Sequence, residues 1–169
     1  MRRPAAGERR AEGPGGRRPT GRSERLDALF AEYGAAHRAS GNVACHAAGI
    51  TLIVFGILSL THALRLGSGW TASELVVALA GAAYLALDVP LGIAMLATAA
   101  LVDLVARAVD DPVVGAAAFV LGWVFQAIGH AVYEKNSPAF FRNLVHLLVG
   151  PAYLVNKVLR IRPAAAAAL

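Results

Sequence analysis

The sequence predicts an all-α protein, a polytopic membrane helical bundle of about four transmembrane helices with further interfacial amphipathic helices. Three observations predict it. Of the 169 residues, 57% are hydrophobic and only 16% charged, where an ordinary soluble domain has about 25% charged. The mean hydropathy is +0.55. The apolar stretches are separated by helix-start signals, Asp88-Val89-Pro90 and Asp110-Asp111-Pro112, in which Asp caps a helix and Pro occupies its first turn.

Taken in order, residues 1–22 are rich in Arg, Gly and Pro without apolar periodicity. That composition buries too little surface to offset its ordering entropy and reads as a disordered tail. No apolar h-region follows the arginines within signal-peptide length. From Ser23 to His37, Leu26, Leu29, Phe30 and Tyr33 recur at helical spacing among charged residues. This predicts a short amphipathic helix at a membrane surface, with Tyr33 as an anchoring aromatic. Ser40-Gly41-Asn42 is expected to interrupt the helix and cap the next. The first span runs from about Val43 to Leu64, roughly the 20 residues a bilayer core requires. Glu74 to Leu87 and Leu91 to about Val109 form a helical hairpin, and a fourth stretch runs from Val113 to about Tyr133. Asn136-Ser137-Pro138 opens a fifth helix, Ala139 to Val149, which carries Arg142, Asn143 and His146 and is too short to span, so it belongs in the interface. Gly150-Pro151 is expected to break it before a last segment with Lys157, Arg160 and Arg162, and residues 163–169 are an Ala-rich tail. Residues 23–162 thus read as a single membrane-embedded helical domain.

Charge sets the expected topology. Nine of the sixteen Lys and Arg precede residue 39, most of the rest follow the fourth span, and the loop from Gly67 to Ser73 has none. Lys and Arg accumulate in cytoplasmic loops, so both termini are expected in the cytoplasm. The Ala/Arg/Gly bias suggests a bacterial inner membrane; in a eukaryote the endoplasmic reticulum would take its place. The basic pI near 10.0 does not point to nucleic acid, because the middle of the chain carries no basic stripe. A single cysteine, Cys45, excludes an intrachain disulfide and a CxxC metal knuckle. It reads as helix packing, Asp88 as a cap, and Asp103 as an interface charge.

The histidines carry the chemical signal. With an even number of spans, His37 and His46 at the start of the first span share a membrane face with His130 near the end of the fourth. His146 joins them as a candidate. His62 lies sixteen residues beyond His46, roughly 24 Å along a helix and on the opposite side. Nine residues of unbroken helix turn by about 900°, so His37 and His46 converge only if the helix is broken between them. Asn42 and His46 share a helical face, as do Gln126, His130 and Glu134. Imidazole is the commonest iron or zinc ligand, and its second nitrogen needs an orienting partner. Polar groups at membrane depth mark function by default, although polar residues also glue helices together in proteins with no catalytic role.

These residues form two motifs. His37, Asn42, His46 and Gly49 read H-x4-N-x3-H-x2-G, and Gln126, Gly129, His130, Glu134, Lys135, Pro138 and Ala139 read Q-x2-G-H-x3-E-K-x2-P-A. Together they resemble the family of the yeast endoplasmic-reticulum 2-hydroxy fatty acid dioxygenase and its bacterial relatives, from about Leu26 to Leu154. The resemblance implies iron(II)-dependent α-oxidation, in which dioxygen shortens a 2-hydroxy fatty acid by one carbon at the membrane interface. It implies His37, His46 and His130 as iron ligands, Glu134 as a ligand or supporting catalytic residue, and Asn42 and Gln126 as residues that orient the histidines. It does not extend to His146, a candidate additional ligand, and Thr51 stands where the family commonly has Pro. Two other classes stay open on the residues alone: another metal-dependent lipid-modifying enzyme, and a non-enzymatic membrane protein such as a transporter subunit or structural partner.

Overall fold

The computed structural model describes residues 21–135 and 145–162. The expected disordered tail up to residue 20, the helix start at Asn136-Ser137-Pro138 with Arg142 and Asn143, and the Ala-rich tail lie outside the described residues. The elements are α1 (Arg22–Ala35), α2 (Ser40–His62), a small hairpin of β1 (Arg65–Gly67) and β2 (Trp70–Thr71), α3 (Ala72–Leu87), α4 (Val89–Val109), α5 (Pro112–Ile128) and α6 (His146–Leu159), with a π-helical turn, Gly129–Glu134, continuing α5. Apart from the hairpin the fold is helical, as expected.

Among the described residues, three helices are long and apolar enough to cross a membrane: Ser40–His62, Val89–Val109 and Pro112–Glu134. The count of four expected from sequence meets α3 here, which is apolar but only 16 residues long, about 24 Å. It still runs from one end of the bundle to the other. Thr71, at its N-cap, lies 3.3 Å from His62 at the end of α2, while Tyr84 near its C-terminus donates to the Leu148 carbonyl of α6 at 2.8 Å.

The helix starts read from sequence are borne out locally. Asp88 caps α4 by accepting from Leu91 N at 3.0 Å, and Asp111 caps α5 through Val113 N at 2.8 Å and Val114 N at 3.3 Å. Each is followed by Pro in the first turn, where the missing N–H costs nothing. The loop expected at 67–73 is instead the β-hairpin, turned by Gly67 and Gly69 at φ 90° and 81° with Ser68 between them. Its Trp70 is 62% exposed.

α2 is the central helix, packed against α5, α3 and α4. Its contact with α5 is built on glycines seven apart on both helices. A Cβ on Gly122 would lie 2.7 Å from the Gly49 carbonyl, and one on Gly56 would lie 2.7 Å from the Gly115 carbonyl. Backbones approach this closely only where side chains are absent, which gives apolar helices their van der Waals contact in lipid.

α1 and α6 close one end of the bundle. Leu26, Phe30 and Tyr33 of α1 form a buried core with Val149 and Ala152 of α6 and with Tyr84, Leu91 and Met95. The apolar face of α1 therefore meets protein as well as any membrane surface. The expected break at Gly150-Pro151 does not occur, and α6 continues through it to Leu159. Pro151 withdraws the backbone donor that the Leu147 carbonyl would have accepted; Tyr84 holds the next carbonyl, Leu148, and the α1 contact holds both halves. Arg162 bridges the carboxylates of Asp27 and Asp88, tying the chain after α6 to α1 and to the α3–α4 turn.

Candidate metal centre

His37 lies in the four-residue connection between α1 and α2, His46 in the second turn of α2, and His130 in the π-turn after α5. Exposures of 7%, 7% and 4% place all three in the interior. One nitrogen from each ring falls within 4.8 Å of the others, and the rings meet edge to face with centroids 4.3, 4.7 and 5.2 Å apart.

Their orientation follows from the backbone. His37 Nδ1 is 2.6 Å from the Tyr33 carbonyl, and His46 Nδ1 is 3.0 Å from the Asn42 carbonyl, each four residues back. A carbonyl only accepts, so both Nδ1 atoms carry the proton and both Nε2 atoms present lone pairs. Those two Nε2 atoms face one another at 3.0 Å. Two lone pairs at that distance repel unless a cation lies between them, and His130 Nδ1 is buried with no hydrogen-bond partner among the described residues. The donor set therefore fits a metal ion. Burial also holds the His37 imidazole below its usual range, which favours the neutral, ligating form. Tyr33 backs the site. Expected as a membrane anchor, it is 6% exposed and stacks on His37 with centroids 4.0 Å apart.

The break between His37 and His46 is real but lies earlier than expected. α1 ends at Ala35 and α2 begins at Ser40, so Gly41 is inside α2, where a Cβ would collide with the Tyr133 ring. No local side chain caps α2. Glu134 does so from the far end of α5. Its Oε1 accepts from Arg38 N at 2.6 Å, Ala39 N at 2.8 Å and Asn42 Nδ2 at 3.2 Å. A carboxylate is well placed there, against unpaired N–H groups and the positive end of the helix dipole. An unbroken α-helix would have aligned Glu134 with His130, but the π-turn changes that register and sends the carboxylate to the segment that carries His37.

Asn42 is wholly buried, and a Cβ on Gly129 would collide with its Oδ1 and lie 3.1 Å from Cys45 Cβ. Cys45 is thus a packing residue. Gln126 is buried against Gly49 with Nε2 unpartnered, so it orients no histidine through that atom. His146 is 4% exposed, lies 6.4 Å from the Tyr33 ring and has no hydrogen bond on either nitrogen, with Glu32 3.6 Å away. It stands beside the three-histidine group and is not one of it.

A sequence model described as 2-hydroxy-palmitic acid dioxygenase Mpo1-like matches residues 23–162. The chain belongs to the Mpo1-like family. It is similar to the 2-hydroxy-palmitic acid dioxygenase MPO1 of Saccharomyces cerevisiae, 28% identical over 124 residues that cover 70% of each chain. No solved structure matches it.

In this member of the Mpo1-like family the three histidines stand at one end of a cavity of about 460 Å³, within the roughly 300–1,000 Å³ of ligand pockets. His146, Gln126 and Tyr84 also line it, and the remaining wall is almost wholly apolar, from Ile50, Ile53 and Val54 to Leu58 and Phe119. His62 is kept apart, at the opposite end of α2, with Nε2 3.6 Å from Asp110. Asp103, expected as an interface charge, is 6% exposed and paired with Arg107 at 2.7 Å. Sequence reading missed the cavity and the role of Glu134. The Gly129-His130 pair was the available signal for the tight approach of α5 to Asn42.

Proposed function

We propose that the chain is an iron(II)-dependent dioxygenase of 2-hydroxy fatty acids, shortening them by one carbon. The observation that carries this reading is a buried group of three imidazoles at the polar end of an otherwise apolar cavity. Family membership and the yeast relative's name support the substrate class. The balance R–CH(OH)–COOH + O2 → R–COOH + CO2 + H2O closes without a co-reductant, so acid and dioxygen suffice as partners. His37, His46 and His130 would hold the iron(II), which would supply the redox chemistry with dioxygen.

The protein's own part is positional. The Tyr33 and Asn42 carbonyls fix which nitrogen of His37 and His46 faces the metal. Glu134 pins the segment between those histidines. Gln126 and His146 bring unpartnered nitrogens to the same cavity, and these meet the carboxylate and hydroxyl of the acid. The apolar wall takes the chain and excludes water.

The same reading makes residues 23–162 a single membrane-embedded domain with α3 as a fourth crossing leg, which returns both termini to the cytoplasmic face of a bacterial inner membrane. The chemistry is tested by iron stoichiometry and oxygen uptake with a 2-hydroxy fatty acid, in detergent. Parent and His62→Ala bind iron and consume oxygen. His37→Ala, His46→Ala and His130→Ala lose most of both, and the double variants are little worse than the singles because the ligands act as a unit. Three histidine variants that behave like the parent would overturn the assignment.

A further inference from the structure

Beyond the histidines the cavity has a direction and an end. Along α2 its wall runs from His46 to Leu58, and along α5 from His130 to Phe119. Twelve and eleven helical residues correspond to about 18 and 16 Å. Past Leu58 and Phe119 the interior changes character. Ser59, next in α2, is 4% exposed and reaches the Asp111 carbonyl at 3.3 Å. Ser73, one turn before Val76 of the wall, is fully buried with Thr71 at 3.0 Å. Asp103, one turn beyond Ala99 of the wall, pairs with Arg107, which pairs in turn with Glu74 at 2.6 Å. A layer of buried hydroxyls and half-buried ion pairs therefore crosses the bundle where the apolar wall stops. A hydrocarbon end cannot enter it without stripping those groups of their partners.

We infer that this cavity is a blind-ended acyl channel that measures chain length, with the polar layer as its floor and Ala99 and Phe119 as the residues that set its depth. The inference rests on the reading of the site as one for 2-hydroxy fatty acids. An extended backbone advances about 3.3–3.6 Å per three-atom residue, close to 1.2 Å per chain atom, so about 16–18 Å holds about 14 or 15 carbons beyond the head group. Acids of about 16 carbons fill the channel and longer ones do not fit.

The test reads binding as well as turnover. The chain has two tryptophans; Trp123 lines the cavity and Trp70 is exposed on the hairpin, so a Trp70→Phe background isolates Trp123. Trp123 precedes His130 by seven residues, about 10 Å or about 8 chain atoms from the histidines. A 2-hydroxy acid of about 16 carbons brominated mid-chain quenches it more strongly than one brominated at the chain end. Ala99→Phe fills the floor and weakens binding of that acid about tenfold, the scale of overpacking a filled site, while an acid of about 12 carbons binds within about twofold of the parent. Ala99→Leu, a smaller intrusion, gives the same direction, and Phe119→Leu shifts the preference to longer acids.

Equal weakening of both acids, no change for either, or quenching independent of bromine position overturns the channel. The two readings separate cleanly. Length-selective binding without oxygen uptake retains the channel and sinks the dioxygenase, and turnover with an unaltered length profile in Ala99→Phe does the reverse.

Discussion

Glu134 is the residue whose part depends most on context. Its spacing from His130 suggested a helical face shared with the metal ligands, and its carboxylate instead gathers two backbone N–H groups and the Asn42 amide at the start of α2. Every one of those donors lies on the segment that sets His37 and His46 relative to each other. Glu134→Gln keeps the shape and one acceptor oxygen while removing the charge, so the expected effect is the roughly 10–100-fold loss of metal affinity or activity typical of groups that hold ligands in place. Metal titration of the purified variant checks it. Near-complete loss of binding would make the carboxylate a direct ligand. Tyr33 belongs at the same scale, since its carbonyl fixes the His37 tautomer and its ring stacks on that imidazole.

Among the elements, the α2–α5 pair is the one on which the site depends, because two of the three histidines sit on α2's side and one on α5's. Gly49 faces Gly122 and Gly56 faces Gly115; Cβ positions on Gly49, Gly56 and Gly122 fall under 3 Å from the opposing backbone, and one on Gly115 meets the Ser59 side chain. Gly122→Ala meets the Gly49 carbonyl and Ile53 N as well as Ile53 Cγ1, and no side-chain rotation moves the two backbone atoms aside. The helices must separate, at a cost of about 1–3 kcal/mol, and His130 moves with α5. Thermal unfolding in detergent is expected to fall, with bound metal falling in parallel. An unchanged melting point would mean that α5 can slide without cost. These glycines were visible in the sequence, but their pairing was not, because a seven-residue spacing on one helix says nothing of which helix faces it. The π-turn at Gly129–Glu134 was equally hidden; it begins at the glycine that Asn42, eighty-seven positions earlier in the chain, approaches closely.

For the molecule as a whole, a polar layer at each end caps an apolar middle. The histidines, with α1 and α6 packed over them, occupy one end, and the Asp103–Arg107–Glu74 layer with His62 near the hairpin occupies the other. If α3 crosses with the three longer helices, the two ends of the chain share one face, the one that carries the excess of Lys and Arg. Reporter fusions at the two termini are then expected to give the same cytoplasmic signal, and opposite signals would remove α3 from the count of crossing legs.

The sequence by itself determined what is local in cause. Hydropathy marks apolar helices because burying each residue in lipid depends on that residue. Asp-x-Pro and Asp-Asp-Pro mark helix starts because capping involves neighbours three positions apart. The grouping of His37, His46 and His130, and the exclusion of His62, followed from counting turns and spans, which needs only the rise of a helix. The tertiary structure decided what depends on contacts between distant segments. It moved the break ahead of Gly41, carried α6 through Pro151 on the strength of α1 and Tyr84, turned Glu134 toward α2, and opened a channel whose depth no single helix encodes. In each case the local preference was weak or ambiguous, and a carbonyl, carboxylate or glycine from another part of the chain outweighed it.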